Sequence, residues 1–578
     1  RRHFARWWTT MLDSDLEIRC LGVDGHVPQT LGEGASALFY EPEAPWPLPP
    51  PSMRRRMSDG PLPVSSKIAA FALGGPAQPH ARPSHVRSYG HTVCFMVAPW
   101  ATAEDAPPRR RRAHLGDTRA APFGRSPRGP AGPASGPAVA VALHLGGAGC
   151  GVGSAAWSRL FSEHGLGADG RPEGGGPVRG LAAVHFAESA SGRHMPRAIF
   201  ADCDPAGLAE ARAVGRFSPD GLLECPGDSR GSWGALRRAG GPLCAGVMEG
   251  VRWQMEQADS VGCLVLTHSL AGFAGGGLAA GLMGQLAEDH AKVFRWSLAL
   301  APRPSALSAA GCCNALLSLS ATRRASSLLS LVDYDALELL AGSRPFGLGI
   351  ESPTAADCHG LVGRVLAAFT SPMRPGPWTN ASEGWSDLLP WKAAGNLVPY
   401  PRVNCTFACC APARLWEPAE PGADADSSPV LRCLSQGAML SGGALSGGCF
   451  ATGVWCRGLA QGTAVESVRG YRSGAARRPL PLAPGGFVVG SEPEAPPPTR
   501  GAPGGPEVVA LRNSTALLGS VCASWGEACD RHGRGSEGAG AHPEGGVEAG
   551  ELSEAREDLA SCASDADGLE MGLAGRAE

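Results

Sequence analysis

The stretch Val139–Leu160, VAVALHLGGAGCGVGSAAWSRL, sets the tightest limit on what this chain can fold into. Val139 to Leu145 reads as a short apolar strand. A glycine-rich turn follows, with Gly146, Gly147, Gly149, Gly151 and Gly153, and then a helix. Glycines let backbone N–H groups approach an anion, and a helix N-terminus adds a favourable dipole. A nucleotide phosphate is the expected tenant. Spacing alone is weak support, because 81 of the 578 residues are glycine.

Downstream, short apolar strands alternate with helical stretches, the signature of an α/β domain with a parallel sheet. Arg197 to Ala201 is a strand that runs into Asp202 and Asp204. Carboxylates past the C-terminal end of such a strand sit at the ligand crevice and can hold Mg²⁺ through water. A solvated turn acid before Pro205 fits the local sequence equally well. Gly262 to Leu266 is a further strand, leading to His268, Ser269 and a second glycine-rich loop with Gly272, Phe273, Ala274 and Gly275. A helix from Leu278 to about Glu288 follows. Two such loops on one sheet can grip one nucleotide from two sides; the competing reading of the second is a plain flexible turn.

Composition narrows the class. A net charge of -3 gives no global basic character for nucleic acid. Only Lys67, Lys292 and Lys392 are lysines, and only four residues are isoleucine. Such a chain, rich in Ala, Gly, Pro and Arg, has weak strands and a thin core. The 19 cysteines include no Cys-x-x-Cys pair, so they read as buried thiols rather than zinc ligands. No apolar run reaches the ~18 residues of a membrane span. The first residues lack a continuous apolar segment of the secretory type, and the expected setting is the cytoplasm. Residues 1–137, rich in Pro and Arg, are expected to form a disordered extension. Leu552 to Ala560 is expected to be a helix with Ser553 as its N-cap.

Several motifs then converge in collinear order. LHLGGAGCGVGSAAWSRLFSEHGLGADG, with Trp157, Glu163-His164-Gly165 and Asp169-Gly170, resembles the first strand, phosphate loop and first helix of the tubulin family. SGRHMPRAIFADCDP is similar to the loop and third strand of the α-tubulin branch. Asn396 to Arg402 and Gly550 to Leu559 resemble two further family segments. The loop Thr499 to Pro506 resembles an insertion that marks the α branch. The resemblance implies a parallel-sheet GTP-binding domain (138–365), a mixed α/β intermediate domain (366–512) and C-terminal helices (513–578). It also implies GTP and Mg²⁺ as cofactors, and β-tubulin and the microtubule lattice of the cytoskeleton as partners. Nucleic acid and membrane are not expected partners.

Carried over residue by residue, the resemblance implies a nucleotide site of Gly146, Gly147, Gly149, Gly151, Asp204, Asp228, Ser269, Gly272, Phe273, Ala274, Gly275, Tyr334 and His359, with Asp202 and Asp204 on the metal side. Several of these differ from the family's residues. Gly147 and Gly151 stand where the family has glutamines. Tyr334 and His359 stand where it reads guanine with asparagines. Ala355 stands where it stacks an aromatic on the base. Phe273 replaces a loop glycine and is expected to obstruct phosphate. Lys392 stands where an α-tubulin lends an acid that positions the attacking water, and a cation cannot serve as that base. Two readings therefore stand: a GTP-binding α-tubulin-like constituent of microtubules, and a degenerate paralogue that neither binds GTP nor polymerises. A third, a dinucleotide oxidoreductase, rests on Gly151-Val-Gly153-Ser-Ala-Ala156 and Asp169. It is the weakest, because Asp169 falls in a turn rather than at the end of a second strand.

Overall fold

The computed structural model describes residues 137–578 apart from 226–232, 239–240, 344–346, 375–382, 399, 412–427, 442–447, 474–485, 499–504, 536–546, 549 and 578. Within residues 1–136 it describes only backbone pairing. Ile18–Arg19, Ala37–Tyr40 and Phe71–Ala72 form one antiparallel set, and Pro83–Tyr89 pairs with Thr92–Val97. The rest of the expected disordered extension lies outside the described residues, as does nearly all of the loop 499–506. Asp228 does too.

From Val139 onward the chain builds one ten-stranded sheet. In chain order its strands are β1 (Val139–Leu145), β2 (Ala198–Asp202), β3 (Leu222–Glu224), β4 (Val261–Ser269), β5 (Phe294–Ala301), β6 (Leu328–Asp333), β7 (Cys405–Ala411), β8 (Cys449–Arg457), β9 (Phe487–Glu492) and β10 (Glu507–Ser514). Their spatial order is β3-β2-β1-β4-β5-β6-β7-β10-β8-β9. The first seven run parallel, and β10 pairs antiparallel with both β7 and β8. All seven side chains of β1 are buried, as a central strand covered on both faces requires.

Period-two alternation assigns those faces. Ala140 and Ala142 of β1 pack into a core with Trp157, Leu160 and Phe161 of α1 (Gly146–Glu163) and with Leu361 and Val365 of α7 (Ala355–Thr370). Val139, Val141, Leu143 and Leu145 face the opposite layer, with Val247 of α3 (Pro242–Glu256) and Leu282 and Leu286 of α4 (Ala279–Asp289). A third core joins β7, β8 and β10 to α5 (Ala309–Ala325), α10 (Thr515–Gly535) and α11 (Glu551–Ala577). α11 is longer than expected at its C-terminal end, and Ser553 lies inside its first turn rather than capping it. It is held to α5 by Arg323, whose guanidinium meets Asp558 at 2.8 Å.

A buried charge network ties the parallel half of the sheet to its antiparallel half. Glu163 at the end of α1 meets Arg159 at 2.8 Å, Arg457 of β8 at 2.7 Å and Arg374 at 2.6 Å. Glu507 of β10 meets Arg364 of α7 at 2.8 Å and also pairs with Arg159. Glu492 of β9 lies 3.4 Å from Arg457. Burial alone pushes Glu163 up, but Arg374, Arg457 and Arg159 outweigh it and hold its carboxyl well below the usual range. Glu507 is lowered in the same way, with burial outweighed by Arg159, Arg364 and Arg457.

Removing one member leaves uncompensated charges in the interior. Glu163→Ala is expected to lower unfolding free energy by about 3–5 kcal/mol, read from urea unfolding. Because the folded pKa values of Glu163 and Glu507 lie below the unfolded ones, the network's contribution is full above about pH 4.5 and is lost as pH falls below it.

Candidate functional site

The C-terminal ends of β1, β2 and β4 bring the two glycine segments together. α1 begins at Gly146 itself, so Gly147, Gly149, Gly151 and Gly153 are helical residues and not a free turn. Glycine lacks intrinsic helix preference, so tertiary contact explains their presence. A Cβ on Gly149 would strike the carbonyl of Thr267 on β4, and one on Gly153 would lie 2.5 Å from the His144 ring. Gly146 adopts φ +71°, and a Cβ there would sit 2.7 Å from the backbone nitrogen of Gly275. The two glycine segments therefore meet backbone to backbone.

A buried relay fixes this approach. The Trp157 indole N–H donates to His144 Nε2 at 3.0 Å. Indole can only donate, so Nδ1 of the neutral ring carries the proton and donates to Thr267 Oγ1 at 2.6 Å. The Thr267 hydroxyl donates in turn to the Gly149 carbonyl at 3.1 Å. Complete burial lowers His144 to about 3, which keeps Nε2 free to accept. His268 does a parallel job for the second loop. Its Nδ1 donates to the Gly275 carbonyl at 2.9 Å, and its Nε2 accepts from Ser297 at 3.0 Å. The loop it holds is a π-helical turn, Phe273–Leu278, that leads directly into α4. Sequence reading placed His268 beside the loop without a role; the relay residues His144 and Thr267 had no signal beyond being polar in an apolar strand.

The remaining expected site residues fall into three groups. Ser269 ends β4, Ala274 and Gly275 are buried, and Phe273 is 43% exposed at the start of the π turn. On the metal side, Asp202 is buried and turned onto its own backbone, accepting from the N–H groups of Cys203 at 2.7 Å and Asp204 at 3.2 Å. Burial raises its pKa. Asp204 caps α2 (Pro205–Val214) by accepting from Ala206 N–H at 3.0 Å. Both carboxylates have structural partners, and among the described residues no cluster of three or more His, Cys, Asp or Glu side chains is arranged to hold a metal ion. Each hydrogen bond uses only the Oδ1 atom of its carboxylate.

At the far end, Tyr334 opens α6 (Tyr334–Gly342) and His359 lies one turn into α7. Their Oη and Nε2 atoms are hydrogen-bonded at 2.8 Å, with the rings edge to face. Burial pushes Tyr334 up to about 12 and His359 down to about 4, so the pair is neutral. The His359 imidazole fills the space that any side chain on Gly151 would need. Three positions expected to contact a nucleotide are thus packed against one another. Ala355 lies on the same helix one turn earlier and is exposed.

Lys392 lies elsewhere. It belongs to α8 (Pro390–Leu397), whose Trp391 ring covers Gly262 near the start of β4. The glycine loops follow the end of that strand at Ser269. Seven residues of strand separate the two edges by about 23 Å, so Lys392 does not face the glycine edge of its own chain.

Residues 139–341 match the Tubulin/FtsZ family, GTPase domain. The chain is 30% identical over 279 residues to the tubulin alpha-2 chain of Emericella nidulans, covering 47% of this chain and 60% of that one. It is 29% identical to the tubulin alpha-3 chain of Saccharomyces cerevisiae, covering 47% and 61% respectively. The tubulin alpha-8 chain of Caenorhabditis elegans is 28% identical over 279 residues, again with 47% of this chain covered. The chain thus spans about 60% of the length of the curated relatives it matches.

Two outcomes follow from this geometry. Gly151→Ala is expected to destabilise the fold by about 1–3 kcal/mol through overpacking against His359, and His359→Ala in the same chain is expected to relieve most of that loss in a double-mutant cycle. The buried histidines have folded pKa values below the unfolded 6.5, so the unfolded chain takes up protons that the folded chain refuses. Stability is therefore expected to fall as pH drops from about 6.5 towards 4, by up to ~1.4 kcal/mol per pH unit for each such histidine. His144→Phe should flatten that slope in a thermal-melt pH series.

Proposed function

We propose that the chain is a divergent member of the tubulin family, α branch, and a structural protein of the microtubule cytoskeleton that stands folded without guanine nucleotide and does not hydrolyse GTP. The observation that carries this reading is the Tyr334–His359 hydrogen bond, closed over Gly151. A guanine edge is read by side chains that offer it donors and acceptors. Here those groups are spent on each other. Displacing them would break a hydrogen bond between two half-buried groups, worth about 0.5–1.5 kcal/mol.

The metal side gives the same direction. Asp202 and Asp204 serve backbone N–H groups, and stripping either from them costs a turn or a helix cap. Lys392 adds an argument about assembly. At the edge opposite the glycine loops, the nucleotide it would meet belongs to a neighbouring subunit in a head-to-tail polymer. An ammonium there cannot deprotonate water, so a β-tubulin stacked against this chain would keep its GTP unhydrolysed.

The second reading, a GTP-binding partner of β-tubulin, draws on one observation: the phosphate-side backbone is intact, with Gly146 and Gly275 in contact and His268 holding the loop. Equilibrium dialysis separates the two. The purified chain is expected to retain no GTP at about 1 mM, a limit of roughly 4 kcal/mol of binding free energy. The triple variant Gly151→Gln, Tyr334→Asn, His359→Asn, which restores the family's side chains at the base end, is expected to gain at least tenfold in affinity. Saturable micromolar binding by the unaltered chain would reject the nucleotide-free reading.

A further inference from the structure

β2 and β3 are parallel neighbours, with Leu222 opposite Phe200, Leu223 opposite Ala201 and Glu224 opposite Asp202. One residue further along both chains stand Cys203 and Cys225. The Cys225 backbone N–H donates to the Asp202 carbonyl at 3.2 Å, which carries the strand register past its last pair. Both residues are half-buried at the C-terminal edge of the sheet. Neighbouring strands lie about 4.8 Å apart, inside the roughly 4.4–6.8 Å Cα separation that a disulfide spans. Most of the other described cysteines are buried.

We propose that Cys203 and Cys225 form a reversible disulfide staple, a thiol modification site that exchanges with small-molecule disulfides such as glutathione disulfide. The placing of the two cysteines one step past a fixed strand register carries the proposal, and it holds whether or not this edge binds a nucleotide. The chemistry balances as a two-electron exchange. One cysteine thiolate attacks glutathione disulfide, forming a protein–glutathione mixed disulfide and expelling one glutathione thiolate. The second cysteine attacks the protein-side sulfur and expels the other. Two protein thiols are oxidised, one glutathione disulfide is reduced to two glutathiones, and the released thiolates take up the two thiol protons.

The link encloses α2 and ties Asp202, which accepts from the Cys203 N–H, to the end of β3. Burial and the neighbouring thiol push Cys203 up to about 12, so exchange is slow at neutral pH and is best followed to equilibrium at about pH 8.5.

The test is disulfide mapping of the full-length folded chain after equilibration in excess glutathione disulfide. Trypsin cuts after Arg197, Arg212, Arg216 and Arg230, releasing 198–212 with Cys203 and 217–230 with Cys225. The expected result is one linked pair of these peptides, two hydrogen masses lighter than their sum, that separates on reduction. Cys225→Ser is expected to abolish the link and leave Cys203 carrying a glutathione. Should that variant fail to fold, oxidation of the unaltered chain in urea replaces it as the control, with the link expected to give way to scrambled pairings. The proposal is overturned if, in the folded chain at equilibrium, the two peptides stay separate, whether as free thiols or as individual glutathione adducts, or if either cysteine pairs with another partner instead.

Discussion

Everything at the glycine edge depends on how closely α1 lies against the sheet. An ordinary helix keeps its backbone about 10 Å from a sheet, because side chains intervene. Here Gly149 rests on the Thr267 carbonyl and Gly153 on the His144 ring, so the helix axis drops toward β1 and β4. The Trp157–His144–Thr267–Gly149 relay then ties that depth to hydrogen bonds whose directions are fixed by indole at one end and a carbonyl at the other. Once α1 is set, Gly146 must meet Gly275, and His268 must hold the π turn that presents it. Loop geometry at this edge is therefore a consequence of core packing.

The far end of α1 has the opposite character. Its last turn carries Arg159 and Glu163 into a buried network reaching α7, β8, β9 and β10. Such pairs contribute little net stability over an apolar core, but they punish any arrangement that separates them. Four arginines and three glutamates from six segments can all find partners only when the antiparallel strands sit in one register against α1 and α7. Glycine contact at one end of α1 and charge pairing at the other thus join the nucleotide-type half of the sheet to the rest of it.

These contributions differ in how far they can be read from sequence. The mostly apolar run of β1, the strand–glycine–helix order and the alternation of later strands are local patterns, and they appear in the structure where expected. The reason for the glycines was not local. Gly149, Gly151 and Gly153 read as a loop signal, yet each answers to a residue more than a hundred positions away or to the facing strand. The mutual capture of Tyr334 and His359 was likewise hidden, because sequence comparison treats each as a separate replacement of an asparagine. Arg159, Arg364 and Glu507 gave no signal at all: charged residues at buried positions are recognised only when their partners from distant segments are in place.

The Gly151–His359 contact shows how the absence of one side chain is answered by its neighbours. A helix residue without a side chain leaves a void beside its neighbour, and close-packed interiors do not keep voids of that size. A longer, aromatic residue at position 359 fills it, and its imidazole then needs a partner that an asparagine at 334 would supply less well than the hydroxyl of Tyr334 at 2.8 Å. Each change makes the next favourable, and none disturbs the strands or the relay beneath. The pair at 334 and 359 can thus change together while the scaffold beneath stays as it is, since that scaffold is held by contacts within the sheet and α1.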